Sequence, residues 1–400
     1  MIATFHNRFN TLPTTIGTRY NAFMGNASSS WAGAEATQPI GSSYTIKNLY
    51  VSLSGAVGGT MVHVLTLRKN GADTGLTITT DAASTTFTDV THTVSVVAGD
   101  TLSWGLVTTG ASGAAVFIRI GFEMDGGASG DGAPILTGEV NNTLSASATR
   151  YLPIQGGILS TTTGNAGTII PTAGTINNAY VVLGGTPGAA KSYTATLVKN
   201  TVDTALVVTV SGTNTTGNDT THSVSIAAGD KVYWRIDPTG TPTARMIGIG
   251  VRWLPTTDGE YIHTGVSAAP SASATQVASA GNSTFASATQ RGGAVPTSTY
   301  TLKKLYIDMD SAPASGKSLA FTVLSNGSST SITTTVADSA TSGNDTTHTA
   351  TSTAGGLVEV QSVPSGTPTV SITRVSWVEY QAVTPPPSGT TSNLMLMGVG

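Results

Sequence analysis

Three histidines in this chain sit in the same local pattern: Asp89-Val-Thr91-His92, Asp219-Thr-Thr221-His222 and Asp345-Thr-Thr347-His348. An imidazole beside a carboxylate can exchange protons near neutral pH or ligate a transition metal. A second kind of carboxylate follows a glycine, at Gly99-Asp100 and Gly229-Asp230, and Gly355-Gly356 replaces it downstream. Set against the demands of catalysis, these residues fall short. Two acids that cleave a glycosidic bond must flank it roughly 5 to 10 Å apart, and the six glutamates, scattered from Glu35 to Glu379, form no evident pair. There is no Gly-x-Ser-x-Gly elbow, no phosphate-binding loop with lysine and no His-Glu-x-x-His helix.

The plainer role is structural. His92 has the strand parity of Val94 and Val96, and His222 that of Val224 and Ile226, which turns each imidazole toward the rim of a core where Asp or backbone holds it. A metal at these elements would need ligands converging from several subunits. Asp100 and Asp230 belong to turns, where a carboxylate accepts local amides. The sequence therefore names no catalytic residue, no cofactor-binding residue and no metal ligand.

These elements need a scaffold, and their spacing indicates it. The histidines are 222 − 92 = 130 and 348 − 222 = 126 residues apart, and self-similarity at a fixed period marks copied units. Upstream of each lies Thr45-Ile-Lys-Asn-Leu-Tyr-Val-Ser-Leu53, Thr175-Ile-Asn-Asn-Ala-Tyr-Val-Val-Leu183 or Thr301-Leu-Lys-Lys-Leu-Tyr-Ile-Asp-Met309. Alternation puts Leu49, Val51 and Leu53, with Ala179, Val181, Leu183 and Leu305, Ile307, Met309, on a core face. Tyr50, Tyr180 and Tyr306 then face the other way, as candidate contacts for a glycan or a subunit. Turn signals follow at Asn70-Gly71, Asn200-Thr201 and Asn326-Gly327. Trp104, Trp234 and Val360 read as core fillers.

The expected fold is all-β: three tandem antiparallel β-sandwich domains of jelly-roll type in one chain. Residues 1–22 read as an arm or first strand docking on a neighbour, 23–128, 129–256 and 257–383 as the three repeats, and 384–400 as a Pro-rich linker and apolar tail. The short boundaries at 125–132 and 255–259 suggest a stiff rod of three beads. The tail ends in Leu394, Met395, Leu396 and Met397, apolar side chains suited to assembly with a partner.

Composition narrows the function further. Only 10% of residues are charged, with 18 basic against 21 acidic, so there is no basic field for nucleic acid. No apolar run is long enough to span a bilayer. Cysteine is absent, so packing and hydrogen bonds must carry stability. Tandem Thr/Ser/Gly-rich sandwiches, Ala-Gly-Asp hairpins, a start without an export signal's apolar core and the terminal Leu394-Met-Leu-Met397 together resemble structural proteins of tailed-bacteriophage particles, in style and over most of the chain. The resemblance implies a fibre, spike or decoration protein, made in the host cytoplasm and carried on the virion. It implies assembly with itself, as a homotrimer, and with other virion proteins. A host-surface glycan-binding adhesin is the alternative, and a capsule-degrading enzyme the lesser one.

Overall fold

Branched and apolar side chains at alternate positions favour a pleated backbone, and in the computed structural model the runs that show this alternation are strands. Residues 2–24, 31–127, 131–138, 142–156, 159–279, 284–287 and 298–382 are described, the side chains of residues 2–10, 165, 266 and 267 excepted. Strands make up 61% of the chain, and the single turn Thr163–Ala166 is the helix seen among the described residues. No helix there is long and apolar enough to cross a membrane.

The strands form six antiparallel sheets, two from each of three successive segments, called units here. In the first unit one sheet runs Ile2–Thr11, Phe117–Asp125, Tyr44–Leu53, Thr86–Asp89, and the other Gly17–Ala22, Thr101–Thr109, Val62–Lys69, Ala72–Thr79. The second unit repeats the order with Ala133–Gly138, Ile247–Pro255, Gly174–Leu183, Thr216–Ile226 and with Arg150–Pro153, Lys231–Thr239, Gly188–Lys199, Val202–Gly212. The third does so with Glu260–Ala268, Thr373–Tyr380, Thr301–Met309, Ser342–Thr351 and with Gln276–Ala278, Val358–Ser365, Ala314–Ser325, Ser328–Asp338. Apart from one hairpin pair in each unit, neighbouring strands are distant in sequence because the chain crosses repeatedly between the two sheets, as in a jelly roll.

The residues with inward parity lie between the sheets. Leu49, Val51, Leu53 and their six counterparts are at most 4% exposed, and Trp104, Trp234 and Val360 are buried with them. Asn70-Gly71, Asn200-Thr201 and Asn326-Gly327 all have positive φ, the geometry of a tight hairpin. Residues 2–11 and 17–22 are integral strands of the first unit, each hydrogen-bonded within it, and not an arm on a neighbour.

The units do not form a rod. The first unit's Gln38–Pro39 strand lies over Ala133–Gly138, Gly174–Leu183 and Ile247–Pro255 of the second, and the second unit's Thr168–Ile169 lies in the same way over the third. Tyr300 of the third unit donates to Glu123 of the first, at 3.2 Å. Each unit therefore touches both others. Tyr261 ties all three: it packs in the first unit's core cluster, its hydroxyl donates to the Pro134 carbonyl at 3.3 Å, and Gln155 donates to it at 2.8 Å. The linkers are too short to hold the units apart, and small residues let backbones meet. A Cβ at Gly250 would strike the Pro39 carbonyl, and one at Gly248 the Thr37 carbonyl.

Gly250→Ala should accordingly cost about 1–3 kcal/mol through overpacking, read as a lower denaturation midpoint. Gly33→Ala, where a Cβ meets nothing within 4 Å, should change it little.

Candidate functional site

The Asp-x-Thr-His elements are where the chain repeats its polar chemistry most faithfully. In the second unit Ser223 pairs with Asn177 and Asp219 with Ala179, so Thr220-Thr-His222 bulge opposite the single residue Asn178. The third unit does the same at 346–348 opposite Lys304. Asn48, Asn178 and Lys304 carry the matching kink, with φ of 54°, 52° and 56°. The bulge lifts the histidines away from the core, contrary to what strand parity predicts: His92, His222 and His348 are 58%, 53% and 58% exposed, while their aspartates are buried.

Each aspartate joins the two sheets of its unit. Asp219 Oδ2 accepts the Val207 amide of the facing sheet at 3.1 Å and His222 Nδ1 at 2.9 Å. Its Oδ1 accepts the His222 and Thr221 amides and the Thr221 hydroxyl, all at 3.1 Å. Asp89 holds the Thr77 amide at 3.1 Å and Asp345 the Thr333 amide at 3.0 Å in the same way. Burial pushes the Asp89 and Asp219 carboxyls up, but the amides and imidazoles around them outweigh it and bring both down to about 2. Asp345 moves in the same direction for the same reasons. A carboxylate so held is ionised and only accepts, so the imidazole Nδ1 that bonds it carries a proton.

The turn aspartates also bond local groups. Asp100 accepts Asn70 Nδ2 at 2.7 Å and the Val97 amide at 2.8 Å, and Asp230 accepts Asn200 Nδ2 at 2.6 Å and the Ala227 amide at 2.8 Å. Where Gly356 replaces them, its own amide donates to the Thr353 carbonyl at 2.8 Å.

The tyrosines lie half-buried. Tyr50 stands against Gly355 of the third unit and Tyr180 against Gly99 of the first, so both meet a hairpin of a neighbouring unit. Burial raises the Tyr306 hydroxyl. The tail residues Leu394, Met395, Leu396 and Met397 lie outside the described residues.

Two features escaped the reading of the sequence. His263 Nε2 lies 3.2 Å from Glu379 Oε2, both side chains 1% exposed, with the imidazole stacked on Trp377 at 5.4 Å and edge-on to Tyr261 at 5.0 Å. Its signal was the parity shared with Tyr261, but the Glu379 partner lies on a strand more than a hundred residues on. The pair is an acid and a base with no open face for a substrate. His63 is buried with Nδ1 3.0 Å from Thr108 Oγ1, and burial pushes its imidazole down to about 4.

A cavity between the Glu35–Thr37 segment and Val182, Met246 and Gly248 measures about 20 Å³, room for one water. Among the described residues no three His, Asp or Glu side chains converge as a metal cage. No family model and no curated protein matches the chain. The geometry described thus offers polar groups that tie strands together.

Two pH responses follow. The Asp89 and Asp219 carboxyls sit below their ordinary 3.8 when folded, so their contribution is complete above 3.8 and is lost as pH falls through about 2. Urea titrations across that range should show a steep acid limb that Asp219→Asn makes shallower. Asp219→Ala should cost about 2 kcal/mol at neutral pH by leaving buried amides without acceptors, whereas His222→Ala should cost under about 0.5 kcal/mol. The His63 ring is neutral in the fold, so stability should decline as pH drops from its ordinary 6.5 to about 4. His63→Leu should remove that decline.

Proposed function

We propose that the three units are copies of one sandwich domain and that the protein is a non-enzymatic structural component of a virus particle, of the fibre, spike or decoration kind. The observation that carries this reading is the threefold repetition of a buried Asp clamp in a chain whose described polar clusters are all spent on holding strands and units together. Low charge and a Thr/Ser-rich surface suit a protein that covers or projects from a shell. With each unit touching both others, equivalent exposed features such as His92, His222 and His348 are presented once per unit. Such a body suits a place where three like subunits of a shell meet. The terminal Leu394-Met-Leu-Met397 supplies apolar side chains for the anchoring contact.

The test is incorporation. Purified particles should contain the full chain and lack a version deleted for residues 385–400. Particles that never contain the chain overturn the reading, and equal incorporation of the deleted form overturns the role given to the tail.

A further inference from the structure

We infer that this chain is a closed one-chain trimer: the last unit seals onto the first through a contact equivalent to the two covalent seams, so the protein is a monomer that needs no second copy. Ser42, Thr172 and Ser298 stand at intervals of 172 − 42 = 130 and 298 − 172 = 126 residues, the period of the repeat. At the seam of units two and three, Thr172 donates to Glu260, and Lys304 reaches Thr172 at 2.9 Å and Glu260 at 2.7 Å. At the seam of units three and one, Ser298 and Tyr300 donate to Glu123, which also accepts Asn48 Nδ2 at 2.7 Å. At the seam of units one and two, Gly41, next to Ser42, lies against the Val251–Arg252 backbone and the Asn178 carbonyl, which a Cβ at Gly41 would approach to 2.7–2.8 Å. Asn48, Arg252 and Lys304 come from the same neighbourhood of their units, where Asn48 and Lys304 share the kinked position and Arg252 pairs with Asn177 beside it.

The third seam is as furnished as the second although no peptide bond crosses it. Tyr50 packs on the Gly355 hairpin there, and Glu359 of the third unit lies in the field of Arg119 of the first. Residues 126–132 carry the chain from Asp125 to Ala133 and residues 256–259 from Pro255 to Glu260. The matching gap of the third seam runs from Tyr380 to Ile2. With two seams tied by short linkers, unit three meets unit one at high effective concentration, and closure within one chain outcompetes closure between chains. The three seams differ, with backbone approach at Gly41 in the first, Lys304 with Glu260 in the second and Asn48 with Glu123 in the third, so the units fit in one cyclic order.

Closure concerns the chain alone and stands with or without a particle. Joining Gly400 directly to Met1 and opening the chain before Asp131 keeps every residue and moves the break from the third seam to the first. Light scattering should give 40.3 kDa for both the parent and this permutant, with melting temperatures within about 4 °C of each other. A parent at three times that mass overturns the inference. Should the permutant fail to fold, a second measurement decides. The parent has no cysteine, so Tyr50→Cys with Ala354→Cys can be bridged by a short bismaleimide. Product confined to one chain supports closure; cross-linked dimers, or no bridge at all, refute it.

Discussion

The buried carboxylate that joins facing sheets is the interaction on which each unit depends. A sandwich is held mainly by apolar contact between its layers, which is strong but does not fix how the sheet edges slide past one another. Asp89, Asp219 and Asp345 each accept an amide from the facing sheet and amides from their own bulge, tying the rim of one layer to the rim of the other. Burying an ionised carboxylate is expensive unless several donors surround it. Here each aspartate gathers backbone amides, a threonine hydroxyl and an imidazole, and its depressed pKa records that the donors outweigh the burial.

The same economy of polar groups governs how the units meet. In a chain with 10% charged residues, unit contacts rely on close backbone approach, as at Gly248 and Gly250, and on a few buried polar knots. Glu260 shows the balance: burial raises its pKa, but Lys303, Lys304 and Thr172 outweigh that and lower it. Arg374 does similar work between units two and three, where it donates to Asp310 at 2.6 Å and to the Gly164 carbonyl, and Lys231 adds a 2.9 Å pair with Asp308. Truncating one partner of such a knot leaves a buried charge uncompensated, which costs more than the pair itself contributes.

Much of this was legible in the sequence, and the limits are physical. The inward parity of Leu49, Val181 and Ile307 is a local property of extended chain, so alternation located the core face, and Asn-Gly dipeptides located the hairpins. Parity failed at His222 because a strand register counts residues only while both partners advance together. Three residues opposing Asn178 lift the imidazole into solvent. The arrangement of units was not legible either. Linker composition indicates stiffness, but whether stiff units line up or close depends on side chains such as Tyr300 and Glu123, 177 residues apart. The Glu260 and Glu123 knots were invisible for the same reason, since no spacing rule connects a carboxylate to a hydroxyl on another unit.

What the three units share and where they differ separates the constraints acting on them. The clamp keeps its residue types and its hydrogen bonds in all three units. The core varies more in residue type. At equivalent positions Tyr44, Gly174 and Tyr300 differ greatly in size, and the missing side chain at Gly174 is filled by Trp253, whose ring would lie 2.5 Å from a Cβ placed there. Apolar packing tolerates such exchange as long as the space is filled, whereas a carboxylate that must meet amides on two sheets does not. The seams vary most, because each joins two different units and is free to become unlike the others. In a trimer of identical chains every seam would instead have to change together.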